Sequence, residues 1–548
     1  MIFDRPRFSV LPGNILHVEV GDEISLDCSA RIHGLFAMLS RLEGLRELTP
    51  AYASIACRID VNSMKKNSVV KAIEQALMKP PATPSRNKLV KVPVCYEGEF
   101  APDLDSLVER VGLTKDQVVA LHSSKEYTCM MLGFAPGFVY LDEVDPKIRM
   151  ERLETPRTKV PAGSVGIAAA QTGIYGSEAP GGWRLIGRTP LTMFNPSATP
   201  PTPIGPGDHV KFQPITADEF KFVKKATAAR PTEPKGARVL EVRQPGLLAT
   251  VQDDGRFAYR HLGVPNSGGL DALSQVQSNY IVGNPSSCPV IEVIGGFFKA
   301  KALAEVVVAV TGCECDLTVG GQPASEWSPL LLKEGQELAI SKTKGLLNYL
   351  SLAGRLTASS VMGSCSTYYR GGFGGYSGRP LKAGDILGVE ELAEEVVMRD
   401  VPASDRVSSN EGPVKALRSP LSTSRAAVED ALFNGDYEVN EASDRTGYRL
   451  RRSGRFPIAT GQVLSYPTFP GYVQVPPDGS PIVLQKDCPT IGGYELGAII
   501  LPSEAGRFSQ LRPGSKVKFQ EVGEGAASRD TAKFLKVWED YASGGLAI

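Results

Sequence analysis

The hydrophobic pattern changes period three times within the first 78 residues. Residues 14–20 (NILHVEV) read as a strand, and 51–61 (AYASIACRIDV) as another. Between them, in SARIHGLFAMLSRLE, the apolar residues Ile32, Leu35, Phe36, Leu39 and Leu42 recur at helical spacing. NSVVKAIEQALMK repeats that spacing behind Asn67 or Ser68, either of which can cap a helix. This alternation predicts a small α+β subdomain over residues 1–85, closed by the proline-rich linker KPPATPSRN.

From Val90 the helical period survives only in DLDSLVERVG and TKDQVVALH. The rest, to about residue 215, reads as short strands and turns. Its centre is the run from Leu132 to Leu191, LGFAPGFVYLDEV followed by TPRTKVPAGSVGIAAAQTGIYGSEAPGGWRLIGRTPL. Pro136, Pro156, Pro161 and Pro180 exclude a helix there. The aromatic and β-branched load excludes a disordered tract. Strands and tight turns walling a concave site fit the run, and so does a barrel with ordinary Gly/Pro turns. Arg157, Lys159, Arg184 and Arg188 beside glycine amides would suit a carboxylate or phosphate. TADEFKFVKKATAARPTEPKGA, which begins at Thr216, reads as a short helix and an interdomain linker over residues 216–236. Turn-rich β structure resumes at 237–390. Residues 391–425 are rich in serine, proline and charge and read as a loop or insertion, and 426–548 again read as strands.

The composition narrows the function. The chain has 548 residues, 60 basic and 60 acidic, so no net charge draws it to nucleic acid or an anionic membrane. Gly (56) and Pro (41) are abundant while apolar residues still reach 42 %, which favours turn-rich β folds. Nine widely spaced cysteines, without an N-terminal apolar leader, predict free thiols and a cytoplasmic location. No apolar run has the length of a membrane span.

Parts of the chain repeat. Val160-Pro161-Ala162-Gly163-Ser164 returns as Val475-Pro476-Pro477-Asp478-Gly479-Ser480. Gln171 and then Thr172, Gly173 and Tyr175 find counterparts in Asp487 and then Thr490, Gly492, Gly493 and Tyr494. Gly207–Phe212 returns as Gly514–Phe519. A repeated plan predicts duplicated barrels.

Several residue types invite a chemical role. His122 could pass a proton near neutrality, or serve as a structural histidine bonded to backbone. Asp487, at a strand end facing the Gly492-Gly493 turn, could act as a base or cap its own turn. Lys486, if the strand continues, points away from Asp487. Arg256 and Arg445 could pair with carboxylates, Glu292 among them. His17, His33, His209 and His261 show no ligand spacing, so no metal site is expected. GGFGGYSGR (371–379) lacks the Lys-Ser/Thr of a phosphate loop, and no Gly-x-Ser-x-Gly elbow occurs.

The run GFAPGFVYL…TPRTKVPAGSVGIAAAQTGIYGSEAPGGWRLIGRTPL resembles the family labelled allophanate hydrolase subunit 1, which includes the B subunit of prokaryotic 5-oxoprolinase and a sporulation-kinase inhibitor. RVLEVRQPGLLATVQDDGRFAYRHLGVPNSGGLD, GSCSTYYRGGFGGYSGRPLKAGDIL and GSPIVLQKDCPTIGGYELGAIIL resemble subunit 2 of that family, which includes the 5-oxoprolinase C subunit. The resemblance implies a mainly β fold with α+β parts: cyclophilin-like β-barrels at 90–215, 237–390 and 426–548 behind the N-terminal subdomain. It implies a B–C fusion that opens a small lactam or other cyclic amide at the expense of ATP, with Mg2+, beside a separate A-type (LamB/YcsF-like) subunit. It implies catalytic roles for Asp487 and His122. It also implies substrate contacts from Gly133, Phe134, Pro136, Gly137, Phe138, Arg157, Gln171, Thr172, Tyr175, Arg256, Asn279, Gln474, Lys486, Thr490, Gly492, Gly493 and Tyr494. The same paired regions resemble the carboxyltransferase part of urea carboxylase. This chain has no Met-Lys-Met-like biotin acceptor, so no biotin would be attached to it. A third reading is an interaction protein like the kinase inhibitor, for which the second half would be surplus. A homo-oligomer is left open.

Overall fold

The computed structural model describes residues 1–60, 65–78, 87–224, 236–390, 399–407, 412–421, 425–452, 456 and 463–543. The linker KPPATPSRN therefore falls outside the described residues except for Asn87, as do residues 225–235 of the second linker.

The N-terminal unit is a four-stranded antiparallel sheet in the order Ile2–Leu11, Ile15–Gly21, Ser54–Ile59, Leu45–Pro50. Helices Leu26–Leu39 and Lys66–Leu77 accompany it, and Ile32, Leu35, Leu39, Val69 and Ile73 share a core with Val18, Ile55 and Cys57. The first helix starts earlier than its apolar spacing suggests, because Ser25 accepts from the Cys28 amide and fixes the N-terminus. The second helix starts at Lys66, ahead of both Asn67 and Ser68, with no side-chain cap.

The next unit is a closed seven-stranded barrel. Going round, its strands are Gln171–Ile174, Val139–Glu143, Glu126–Leu132, His209–Ile215, Leu89–Cys95, Arg184–Arg188 and Ser164–Ala168. His209–Ile215 runs parallel to Leu89–Cys95. Helices Leu104–Val111 and Lys115–Ser124 flank it. The first stops at Gly112 in the left-handed region, and the second starts in a capping box of Thr114 and Gln117.

Residues 237–389 do not close into the barrel expected there. They form a six-stranded and a five-stranded sheet around one core that includes Val242, Val251, Phe298, Val310, Ile340 and Leu350. The segment 391–425, expected to be loop, contains the strand Val414–Arg418; residues 391–398, 408–411 and 422–424 are outside the described residues. Pro413 and Pro420 bracket that strand, so the sequence shows only five residues with no clear alternation.

Val414–Arg418 matters because it opens the second barrel. Its sheet runs Lys516–Val517, Tyr437–Val439, Gly447–Arg452, Ile482–Leu484, Tyr472–Val475, Glu495–Ile500, Val414–Arg418, Phe519–Glu521. The two end members are halves of one segment broken at Lys518, and the second half lies parallel to Val414–Arg418. Strand by strand this is the pairing of the first barrel, so the duplication is one of topology. The motif register is not: Val160–Ser164 leads into the strand Ser164–Ala168, whereas Val475–Ser480 follows Tyr472–Val475, the strand in the equivalent place. Gln171 opens its strand and Asp487 lies beyond the end of its counterpart, so the two are not equivalent. The Gly207 and Gly514 turns do correspond, with φ of 86° and 88° ahead of the closing strand.

The two halves are packed through apolar side chains and close backbone. Leu262, Val264, Tyr368 and Phe373 join the core of the first barrel, and Ile491 joins Ala135, Phe138 and Tyr140. Gly263 has φ +80°, and a Cβ there would lie 2.1 Å from the Ala135 carbonyl oxygen. The GFAPGF turn is thus pressed against backbone of the other half.

Candidate functional site

A cleft of about 1000 Å³ opens between the two halves. The N-terminal unit contributes Asn14, Arg46, Arg58 and Asp60 to its wall. The second half contributes Asp254, Asn266, Ser267, Asp271, Lys486 and Lys415, with Trp538 from the C-terminal helix Glu524–Ala542.

Arg58 interrupts the otherwise apolar strand Ser54–Ile59 and lies 5.5 Å from the Phe469 ring centroid. Its Nε is buried with no hydrogen-bond partner. Lys486 and Asp254 are half-buried, and neither side chain makes an ion pair or hydrogen bond with a described residue. Burial, with the nearby Arg58 and Arg445 charges, pulls the Lys486 amine down to about 8. Burial, with Asp253 beside it, pushes the Asp254 carboxyl up to about 6, against the pull of Lys486 and Arg46. The two groups are electrostatic neighbours whose proton affinities have moved toward neutrality from opposite sides. Such a pair can hold or move a proton near pH 7. The Ser267 hydroxyl, on the same wall, is fully buried and unpartnered, and its backbone sits at φ +56°.

Beneath the wall lies a sealed ion cluster. Arg445 Nε donates to Asp487 Oδ2 at 3.0 Å, Nη2 to the Gly268 carbonyl at 2.7 Å, and Nη1 to Glu292 Oε1. Glu292 Oε2 accepts from the Leu270 amide and the Tyr349 hydroxyl, both at 2.8 Å. Burial works against the Arg445 charge, but Asp487 and Glu292 outweigh it and raise its pKa above the ordinary guanidinium value. The cluster fixes the 268–271 backbone, which forms the cleft floor.

The residues given acid–base roles from the sequence are both enclosed. Asp487 faces Arg445 with its side chain 1 % exposed and is not on the cleft wall, while Lys486 turns the other way, onto it. His122 sits in the barrel core, stacked 4.5 Å from Phe212. Thr172 gives its hydroxyl proton to the Gly166 carbonyl, so His122 Nε2 donates to Thr172 Oγ1 (2.9 Å), and Nδ1 accepts from Tyr96 (2.8 Å). Burial drops its pKa to about 3 and keeps it neutral.

The substrate-contact candidates are spread over several places rather than gathered at one. Gly133, Phe134, Pro136, Gly137 and Phe138 form the inter-half joint: the Gly137 amide donates to the Leu262 carbonyl (2.9 Å), and the Thr490 amide to that of Phe134 (3.3 Å). A Cβ on Gly133 would meet Ile491 at 2.7 Å. Phe138 packs on Tyr175 at 4.8 Å. Arg157 pairs with Asp103 at 2.7 Å. Gln171 accepts from the Tyr52 hydroxyl at 2.8 Å. Arg256 donates to the carbonyls of Val361, Ser364 and Ser366, and Asn279 to those of Ser286 and Cys288. Gln474 donates to the Tyr466 hydroxyl at 3.0 Å, and Tyr466 in turn to the Tyr494 carbonyl. A Cβ on Gly492 would lie 2.5 Å from Gln474, while Gly493 and Tyr494 lie toward the surface. Of this whole set, Lys486 alone lines the cleft.

Reasoning from the sequence misses Asp254 and Arg58. The doublet Asp253-Asp254 before Gly255-Arg256, and a lone arginine inside an apolar strand, are the signals that could find them. The glycine-rich loop 371–379 uses the amides of Gly371, Gly372, Phe373, Gly378 and Arg379 on carbonyls from 368 to 376. It therefore does not fit nucleotide phosphates. Among the described residues, no three His, Cys, Asp or Glu are grouped as metal ligands, and no helix is long and apolar enough to cross a membrane. Among the described residues, no two of the nine cysteines are joined in a disulfide.

Residues 6–204 match the family model "Carboxyltransferase domain, subdomain C and D", and residues 262–521 match "Carboxyltransferase domain, subdomain A and B". The chain is 35 % identical to the B subunit of 5-oxoprolinase from Bacillus subtilis over 234 residues, covering 40 % of this chain and 98 % of that one. It is 30 % identical to the C subunit of 5-oxoprolinase from Escherichia coli over 286 residues, covering 51 % and 90 %. Against urea amidolyase of Saccharomyces cerevisiae it is 29 % identical over 353 residues, 60 % of this chain but 19 % of the yeast protein. The crystal structure of TTHA0988 covers 92 % of this chain and 99 % of its own at a TM-score of 0.79 and 31 % identity.

Proposed function

Because this chain belongs to the family that joins carboxyltransferase subdomains C and D to subdomains A and B, with 5-oxoprolinase B- and C-subunit relatives in that order, we propose that it is the fused B–C component of a 5-oxoprolinase-type lactam hydrolase. The observation that carries this reading is the cleft itself. Its wall needs Arg58 from the B-like half and Asp254 and Lys486 from the C-like half, so one site draws on both.

An unstrained amide resists water, and the described residues offer no activated nucleophile or metal cluster to open one unaided. ATP, with Mg2+, would activate the amide oxygen, and a separate A-type subunit would hold the nucleotide, since the glycine-rich loop does not fit it. What this chain supplies is placement and proton handling. Asp254, mainly ionised at pH 7, accepts a proton from water or from the ring N–H. Lys486 sets positive charge on the wall that faces the substrate. The half-buried walls limit water around both groups. The protein would work in the cytoplasm.

The test is to purify the chain with and without its A-type partner and follow ATP hydrolysis with 5-oxoproline, 2-pyrrolidinone and urea. The expected result is hydrolysis coupled to 5-oxoproline opening in the complex and none by the chain alone. The urea amidolyase relative favours a second reading, acceptance of a carboxyl group from carboxybiotin on a separate carrier. Urea-dependent turnover that needs such a carrier would establish that reading instead.

A further inference from the structure

The cleft has more positive charge on its inner wall than its structural pairs use. Arg46 is paired with Asp60 at 3.3 Å, and Arg445 is consumed by Glu292 and Asp487. Arg260 spends its guanidinium on Asn266 Oδ1 and on the carbonyls of Thr468, Pro489 and Thr490. Arg58 and Lys486 remain. They come from opposite halves and both line the cleft, the Arg58 charge helps lower the Lys486 amine, and neither has an ion-pair partner among the described residues. The nearest acids do not neutralise them both. Glu47 favours the Arg58 charge and Asp254 that of Lys486, but neither acid makes a contact at ion-pair distance with its cation, so both cations keep N–H donors for a ligand. Arg58 Nε and the Ser267 hydroxyl are buried without partners on this wall. Two half-buried cations facing one cavity repel each other and favour an anion between them.

We propose that Arg58 and Lys486 form a carboxylate-binding subsite that selects cyclic amides carrying a carboxylate over neutral amides of the same ring size. The inference rests on the lactam-hydrolase reading and deepens it. A guanidinium takes a carboxylate through two parallel N–H donors, and an ammonium adds a compact point charge. In a 2-carboxylated lactam the carboxylate sits on the carbon that bears the ring nitrogen. Binding it between Arg58 and Lys486 brings the ring N–H to Asp254, the acidic neighbour of Lys486. Urea and 2-pyrrolidinone have no group for this subsite and would leave both cations desolvated and unpaired.

The experiment is calorimetric binding to the full chain with two probes that differ by the carboxylate, 5-oxoproline and 2-pyrrolidinone. The wild type should prefer 5-oxoproline by about 10²-fold or more, the scale of a charge-assisted bidentate contact. Arg58→Gln should cut that preference to below about 10-fold, with the loss falling on 5-oxoproline. Lys486→Gln should cut it in the same direction, and Arg58→Lys should retain part of it. A folding defect would weaken both probes together, so the ratio isolates the subsite. The inference is overturned by a wild-type chain that binds neither probe or shows no preference. It is equally overturned by an undiminished preference in both Gln variants. If the preference behaves as expected but the reconstituted complex opens no lactam, the subsite stands and the hydrolase reading falls. If the complex opens both lactams alike and the variants keep their ratio, the reverse holds.

Discussion

The Asn266 side-chain amide lies 2.9 and 3.1 Å from the two carboxylate oxygens of Glu47, a contact between the N-terminal sheet and the C-like half across 219 positions. Both residues are buried, and Asn266 also donates to the Arg256 carbonyl and accepts from Arg260. Burial pushes the Glu47 carboxyl up, with Arg260 and Arg58 opposing. Asn266→Ala takes its side-chain donor from a buried carboxylate and should cost about 1–3 kcal/mol. Asn266→Asp, which sets a second carboxylate against the first, should cost more. Chemical denaturation that ranks the two the other way would remove this contact from the interface.

At Gly263 the two halves meet backbone to backbone. Alanine would put a methyl carbon 2.1 Å from the Ala135 oxygen at φ +80°. Gly263→Ala should lower the unfolding free energy by more than about 2 kcal/mol, because both contacting groups are main chain and cannot yield by changing rotamer. Gly283→Ala, with nothing within 4 Å of the added carbon at φ +76°, serves as the control for the backbone term alone. Equal losses in the two variants would argue against the close packing.

Removing Arg445 leaves Glu292 and Asp487 facing each other without a cation, so Arg445→Met should be severe, about 3–5 kcal/mol. Asp487→Asn keeps the shape and one acceptor and should cost about 1–3 kcal/mol. If Asp487 is a scaffold for the cleft floor, the folded fraction of Asp487→Asn retains turnover in the reconstituted complex. A fall of about 10²-fold in the folded enzyme would return Asp487 to an acid–base role.

Lys486 makes a prediction with a definite sign. Its folded pKa is lowered from 10.5 to about 8, so between those values the unfolded chain binds the proton first. Its contribution to stability is present above pH 10.5 and is lost as pH falls to about 8. Lys486→Gln should therefore match the wild type near pH 10.5 and exceed it at pH 7. The shift itself corresponds to about 3 kcal/mol, and contact with cleft water should reduce this to ~1–2 kcal/mol. At pH 8 the same amine, half deprotonated, should be acylated ahead of the surface lysines, which peptide mapping would show. A variant less stable than wild type at pH 7 would contradict the assignment.

How far the sequence reaches is clear from individual residues. Apolar spacing reveals the N-terminal unit and the helix pair at 104–124 because that signal is local, while the caps at Ser25 and Thr114 go unread. The strand Val414–Arg418 is invisible because its reason for existing is a parallel partner, Phe519–Glu521, about a hundred residues away. The Val-Pro-x-Gly-Ser motif misleads on register: turn chemistry recurs wherever a chain reverses, so similar turns need not join equivalent strands. Lys486 and Asp487 do face opposite ways, but in a turn beyond Leu484 rather than along a continuing strand, and residue type draws the chemical role to the acid. Nothing local distinguishes a carboxylate locked to Arg445 from one open to substrate. Arg58 is legible only as an oddity, since the cleft it faces is built from the other half of the chain.

That cleft, walled by both halves, has a consequence for how the protein responds to dilution. Where its two components are separate polypeptides, the site exists only in the associated fraction, and specific activity falls as concentration drops below their dissociation constant. Here residues 225–235 connect the halves, and the covalent link sets an effective local concentration of millimolar order whatever the bulk value. Site formation becomes first-order, and the ratio of the two components is held at one to one in every molecule.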